Sequence, residues 1–231
     1  MTSSSTPRQW LVPVGLVLFS VVPVLAGAAR VTELTGGAEV TADNTRFLAS
    51  PVPVLVHVVG ATVYCLLGAL QFAPGFRRRR PGWHRAAGRL LVVCGLAAAL
   101  SGVWMTLSFA RPPVDDVLLT PIRLLFGVAM AGCIVLGVTA IRRRDTAGHR
   151  AWMARGYAIG PGAGTQVLTH LPWVLLVGQP SGHPRVLLML AGWVLNLAVT
   201  EWALRRRPAG PVPSTPSPRR AAPPAAAERV G

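Results

Sequence analysis

The sequence predicts an all-α membrane protein, a six-helix transmembrane bundle whose four-helix core consists of two parallel repeats. Three observations carry this expectation. Of 231 residues, 52% are hydrophobic and only 13% charged, whereas a soluble domain carries roughly 25% charged residues. Six apolar runs reach or approach the ~20 residues a helix needs to cross a ~30 Å hydrocarbon core. The basic residues between those runs fall preferentially on alternate sides. The runs lack the two-residue alternation of a membrane barrel, and helices satisfy their own backbone groups, as hydrocarbon requires.

The first run, residues 10–29, closes a leading segment read as an N-terminal transmembrane helix over 1–29. Arg8, the apolar stretch 11–25 and Ala26–Gly27–Ala28 also fit a cleavable signal peptide. The run's length favours an uncleaved helix. Residues 30–50 then read as an extracytoplasmic loop. A membrane core over 51–205 follows, with helices at 51–73, 90–110, 124–141, 157–178 and 186–204. Residues 206–231 are rich in Pro and Ala without apolar periodicity and read as a disordered cytoplasmic tail.

Arginine sets the orientation. All 23 basic residues are Arg. With the N-terminus inside, only Arg30, Arg46, Arg111, Arg123 and Arg185 fall outside, a strong positive-inside bias. The expected location is a bacterial inner (plasma) membrane, multi-pass, with both termini cytoplasmic and the lipid bilayer as partner. A net charge of +15 could suggest nucleic acid, but the arginines form no basic face and that partner is set aside. Cys65, Cys94 and Cys133 are isolated within apolar runs, so neither a disulfide framework nor a zinc site is expected.

The repeat lies in the two arginine loops. "RRRRPGWHR" before the third run and "RRRDTAGHR" before the fifth each follow an apolar run and end on His-Arg. His84 and His149 should therefore share a depth at the inner ends of two helices and face each other. His57 and His170 lie about 9–12 Å below the outer surface at 1.5 Å per residue and form a candidate outer pair. His57 shares a helical face with Gly60, Ala61, Tyr64, Gly68 and Gln71. Such a stripe serves close helix packing, or leaves room for a flat macrocycle whose iron His57 ligates. On the second reading His84 and His149 ligate the iron of a b-type haem. Arg85 and Arg150, or Arg89 and Arg155, would hold its propionates. On the first, these histidines and arginines anchor lipid headgroups. Glu201 can pair with Arg205 at i+4. "GPGAGTQ" at 160–166 suggests a broken or close-packed helix. No catalytic motif with a nucleophile and a base is present, so no catalytic residue is assigned.

"HVVGATVYCLLGALQF", "WHRAAGRL", "GHRAWMARGYAIGPGAGTQVLT" and "GWVLNLAVTEWALRRR" together resemble the predicted bacterial multi-pass membrane proteins catalogued as domain of unknown function 2306. That resemblance implies fold and location and carries no established activity. The order His57, Gln71, His84-Arg is also similar to one half of the di-haem transmembrane cytochromes b. That likeness implies haem b and transmembrane electron transfer; the fourth run lacks the matching histidine, so His170 would have to substitute. The alternatives are a non-catalytic membrane scaffold and a small-solute transporter.

Overall fold

The computed structural model describes residues 10–42 and 44–206. Expectations for Arg8 and for the tail beyond Arg206 lie outside the described residues. All regular structure among the described residues is helical: α1 (Leu11–Thr35), α2 (Thr45–Ala49), α3 (Pro51–Leu70), α4 (Pro74–Arg79), α5 (Pro81–Ser108), α6 (Leu119–Arg142), α7 (Thr146–Ile159), α8 (Gly162–Leu176) and α9 (Gly182–Arg205). Among these, α1, α3, α5, α6 and α9 are each long and apolar enough to cross a membrane. Large apolar side chains such as Leu18, Val93, Val128, Leu176 and Val199 lie exposed on the outer surface. Water would penalise that surface, and a bilayer welcomes it.

Several helices overrun the apolar runs that announce them. α5 begins nine residues before Leu90, and α6 begins five before Leu124. Hydropathy marks the stretch a bilayer would cover, whereas the helix ends are set by local chemistry. Pro81 sits at the first turn of α5, where its missing N–H leaves no bond unmade. Asp145 caps α7 by accepting a hydrogen bond from the Gly148 amide at 2.8 Å. Arg144, with φ 64°, turns the chain sharply from α6 into α7.

α3 packs on α5, α5 on α6, and α6 on α7, while α7 returns to α3 through a lighter contact. α1 lies against α3 and α8, and α9 lies against α7 and α8. The core joins Tyr64, Leu91, Phe126, Met130, Ile134 and Tyr157. The glycine stripe on α3 is filled by protein. A Cβ at Gly60 would come within 2.9 Å of the Cys94 carbonyl of α5, and one at Gly68 would collide with the Tyr157 ring. At these two positions the stripe serves close helix packing. The Tyr157 hydroxyl donates to the Cys65 carbonyl at 2.7 Å, tying α7 to α3.

The fifth run is two helices. Pro161 has no N–H to give the Tyr157 carbonyl and ends α7. The Ala158 carbonyl, orphaned by the break, accepts a hydrogen bond from Asn196 Nδ2 at 3.0 Å, and Thr165 donates to Asn196 Oδ1 at 2.6 Å. One amide on α9 thus joins both sides of the interruption. Glu201, expected beside Arg205, instead pairs bidentately with Arg155 of α7, at 2.5 and 3.1 Å.

Replacing Asn196 with Leu should leave the Ala158 carbonyl buried without a donor. A loss of about 1–3 kcal/mol is expected, read as a lower unfolding midpoint in detergent. An unchanged midpoint would show that the break has no need of α9.

Candidate functional site

Residues 44–50, 109–118 and 177–182 gather at one end of the molecule, here the Asp115 end. Arg77–Arg80 and Arg142–Arg144 mark the other. At the Asp115 end a cavity of about 450 Å³ opens among α3, α5, α6, α8 and α9, within the roughly 300–1,000 Å³ typical of small-molecule sites. Its walls are largely apolar. Met105, Met130 and Met189 line it, and Phe126 stacks on Trp193 with ring centroids 4.6 Å apart. Tyr64, Ile159 and Gly160 lie on its floor, so the cavity ends where α7 breaks. The Tyr64 ring fits there because Gly95 and Gly160 carry no side chain; a Cβ at either would meet it at 2.6 or 3.0 Å.

Polar groups enter this lining at few points. His57 Nδ1 lies 2.8 Å from the Ala98 carbonyl. A carbonyl only accepts, so Nδ1 carries the proton and Nε2 is the nitrogen left with a lone pair. Gln166 donates its amide to the Met189 carbonyl at 3.2 Å, which leaves its oxygen uncommitted among the described residues. Both residues line the cavity.

The rim is cationic. Arg46, Arg111, Arg123 and Arg185 line it, with Asp115 the only acid among the lining residues. The Asp115 side chain is 1% exposed. Arg185 Nε donates to its Oδ1 at 2.7 Å, while Arg123 Nη1 stands 2.7 Å from Oδ2, an ion-pair distance without hydrogen-bond alignment. Burial works to raise the Asp115 carboxyl, and the two guanidiniums outweigh it, holding it below the usual carboxylate range. The Gly182 amide also donates to the Val114 carbonyl. The α5–α6 loop is therefore latched to the start of α9.

The histidines predicted from sequence separate. His57 lines the cavity, but His170 does not: its Nδ1 donates to the Gln166 carbonyl one turn back in its own helix, at 2.7 Å. Phe126 of α6 also lines the cavity. At the other end, His84 and His149 occupy the first turns of α5 and α7 and lie within electrostatic range of each other. Their settings differ. His149 donates through Nδ1 to the Gly137 carbonyl at 2.8 Å, whereas His84 Nδ1 is buried without a partner among the described residues. Arg85 and Arg150 are exposed, and Arg155 is committed to Glu201. His183 is exposed beside Asp116, at 3.4 Å. Among the described residues no three His, Cys, Asp or Glu side chains are grouped to hold a metal ion.

Local sequence patterns did not reveal the Asp115 latch, because its partners lie 8 and 70 positions away. One signal was present. The positive-inside tally left five arginines on the disfavoured side, and four of these five line the cavity.

A family profile described as a predicted membrane protein, DUF2306, matches residues 54–204. No curated protein and no solved structure matches the chain, so the weaker likeness to di-haem cytochromes b gains nothing there.

The depressed Asp115 carboxyl fixes a pH dependence. Its stabilising contribution is complete above the unfolded value of about 3.9 and is lost as pH falls through the lower folded value. Asp115→Asn should lower stability by about 1.5–3 kcal/mol near neutrality. The gap between melting curves of the two proteins should hold from pH 7 to pH 5 and close only in strong acid. A gap that closes near pH 6 would contradict the latch.

Proposed function

The chain belongs to the DUF2306 family of predicted membrane proteins, and from that premise we propose that it binds a small solute entering from the extracytoplasmic side. The carrying observation is the 450 Å³ cavity, open at the arginine-poor end and floored by a helix break. In this reading α7 and α8 together form a sixth, interrupted crossing of a plasma membrane, with both termini cytoplasmic. Irregular backbone at membrane depth is tolerated where it lines a cavity, and discontinuous helices are a recurring way to place a solute site near the midplane. The spans carry few charged groups away from their ends, which speaks against ion coupling and for a neutral or locally paired solute path.

Ala163 tests this directly, being exposed at the start of α8 and a lining residue of the cavity. In intact cells, Ala163→Cys should react with a membrane-impermeant thiol reagent, and adding Gln166→Trp should slow that reaction by about tenfold or more through blockage. Labelling only after the membrane is permeabilised would overturn the orientation.

One set of contacts favours a second reading, a b-type haem between His84 and His149. α5 and α7 stand on either side of α6, and the histidines occupy the same turn of each. The Gly137 bond fixes His149 with its Nε2 lone pair free, as a ligating imidazole requires. Bound there, haem would supply one-electron redox chemistry. Protein purified from haem-supplemented cells should then give a reduced-minus-oxidised b-type spectrum that His84→Ala and His149→Ala each abolish with helicity intact. A colourless, folded preparation removes this reading and leaves the cavity.

A further inference from the structure

Resting on the cavity reading, we propose that the solute is a single-chain amphiphile bearing one carboxylate. Its acid would sit among the rim arginines and its apolar body would reach the Phe126–Trp193 stack. Membrane insertion disfavours arginine on the outer side, yet four of the five arginines there converge on one opening. The fifth, Arg30, is spent locally on Glu33. Asp115 balances one charge of the Arg123–Arg185 pair through Nε of Arg185 and Nη1 of Arg123. Arg111, Arg123 and Arg185 thus bring three positive charges to the rim against the one carboxylate of Asp115. Arg111 is exposed and makes no ion pair among the described residues. A planar guanidinium recognises a carboxylate through paired hydrogen bonds.

Size and lining select the rest of the molecule. Arg185 to Trp193 on α9 and Thr120 to Met130 on α6 set a depth of about 12–15 Å at 1.5 Å per residue, the length of a chain of about ten to twelve carbons. A volume of about 450 Å³ takes one such chain and not the two of a phospholipid. Three methionines in the wall adapt to a flexible chain. A free phosphate or a small dicarboxylate would leave the aromatic floor unused.

The test uses full-length protein in phosphatidylcholine nanodiscs and 12-bromododecanoate, whose terminal bromine quenches indole fluorescence. Wild type should show a saturable component of quenching that Trp193→Phe removes. The double variant Arg46→Gln/Arg111→Gln should weaken it by about tenfold or more, and 12-bromododecanol should quench only in proportion to its concentration. Should the alcohol saturate at the same midpoint, or the double variant bind as wild type, recognition of the anion is refuted while the cavity stands. Should neither probe saturate, the proposal falls, and the Ala163→Cys labelling reports separately whether the cavity falls with it.

Discussion

Buried backbone polar groups need partners, and the rest of this architecture turns on how that demand is met at Pro161. A proline in an apolar run of this length removes a donor and ends α7 halfway. Asn196 donates to the Ala158 carbonyl that the break leaves open, and its own oxygen accepts a hydrogen bond from Thr165. The side chains around the break are correspondingly small. Gly162 lies so close to the Trp193 indole that a Cβ would overlap it, and Gly192 stands against Gln166 in the same way. These close approaches bring α9 against α8, and the same Trp193 and Gln166 border the cavity.

The two ends of the molecule use arginine differently. At one end, clusters such as Arg77–Arg80 and Arg142–Arg144 follow the helices in series and are mostly exposed. At the Asp115 end the few arginines are placed singly, each from a different element, and meet around one opening. Charge that is dispersed along the chain interacts with whatever lies at the surface. Charge gathered from distant positions around an apolar hollow has a defined geometry, and a defined geometry can discriminate between ligands.

Local patterns disclosed what depends on local physics. Apolar runs located the long helices, the His57–Gln71 stripe faced the interior as its spacing required, and the Gly-Pro-Gly segment marked the interruption. Trp193 and Asn196, one turn apart on α9, both meet the segment around the break. What stayed hidden is set by azimuth and by partners far along the chain. Equal depth suggested a His57–His170 pair, but depth does not say which way a helix is turned, and His170 bonds within its own helix. Glu201 had a satisfactory partner four residues on and took one 46 residues back. Helix ends escaped for a different reason: hydropathy reports the solvent, and a helix does not stop where the solvent changes.

α9 touches the remainder at three heights: Arg185 on Asp115, Asn196 on the break, and Glu201 on Arg155. It also follows every one of those partners in the chain. During synthesis the interrupted α7–α8 segment is therefore made before its support exists, with the Ala158 carbonyl and the Arg155 guanidinium both lacking the groups that later satisfy them. Until the last helix arrives the nascent protein holds exposed polarity that only that helix can quench. Its arrival closes the structure from both ends at once, and a chain halted short of it would lack all three of these contacts together.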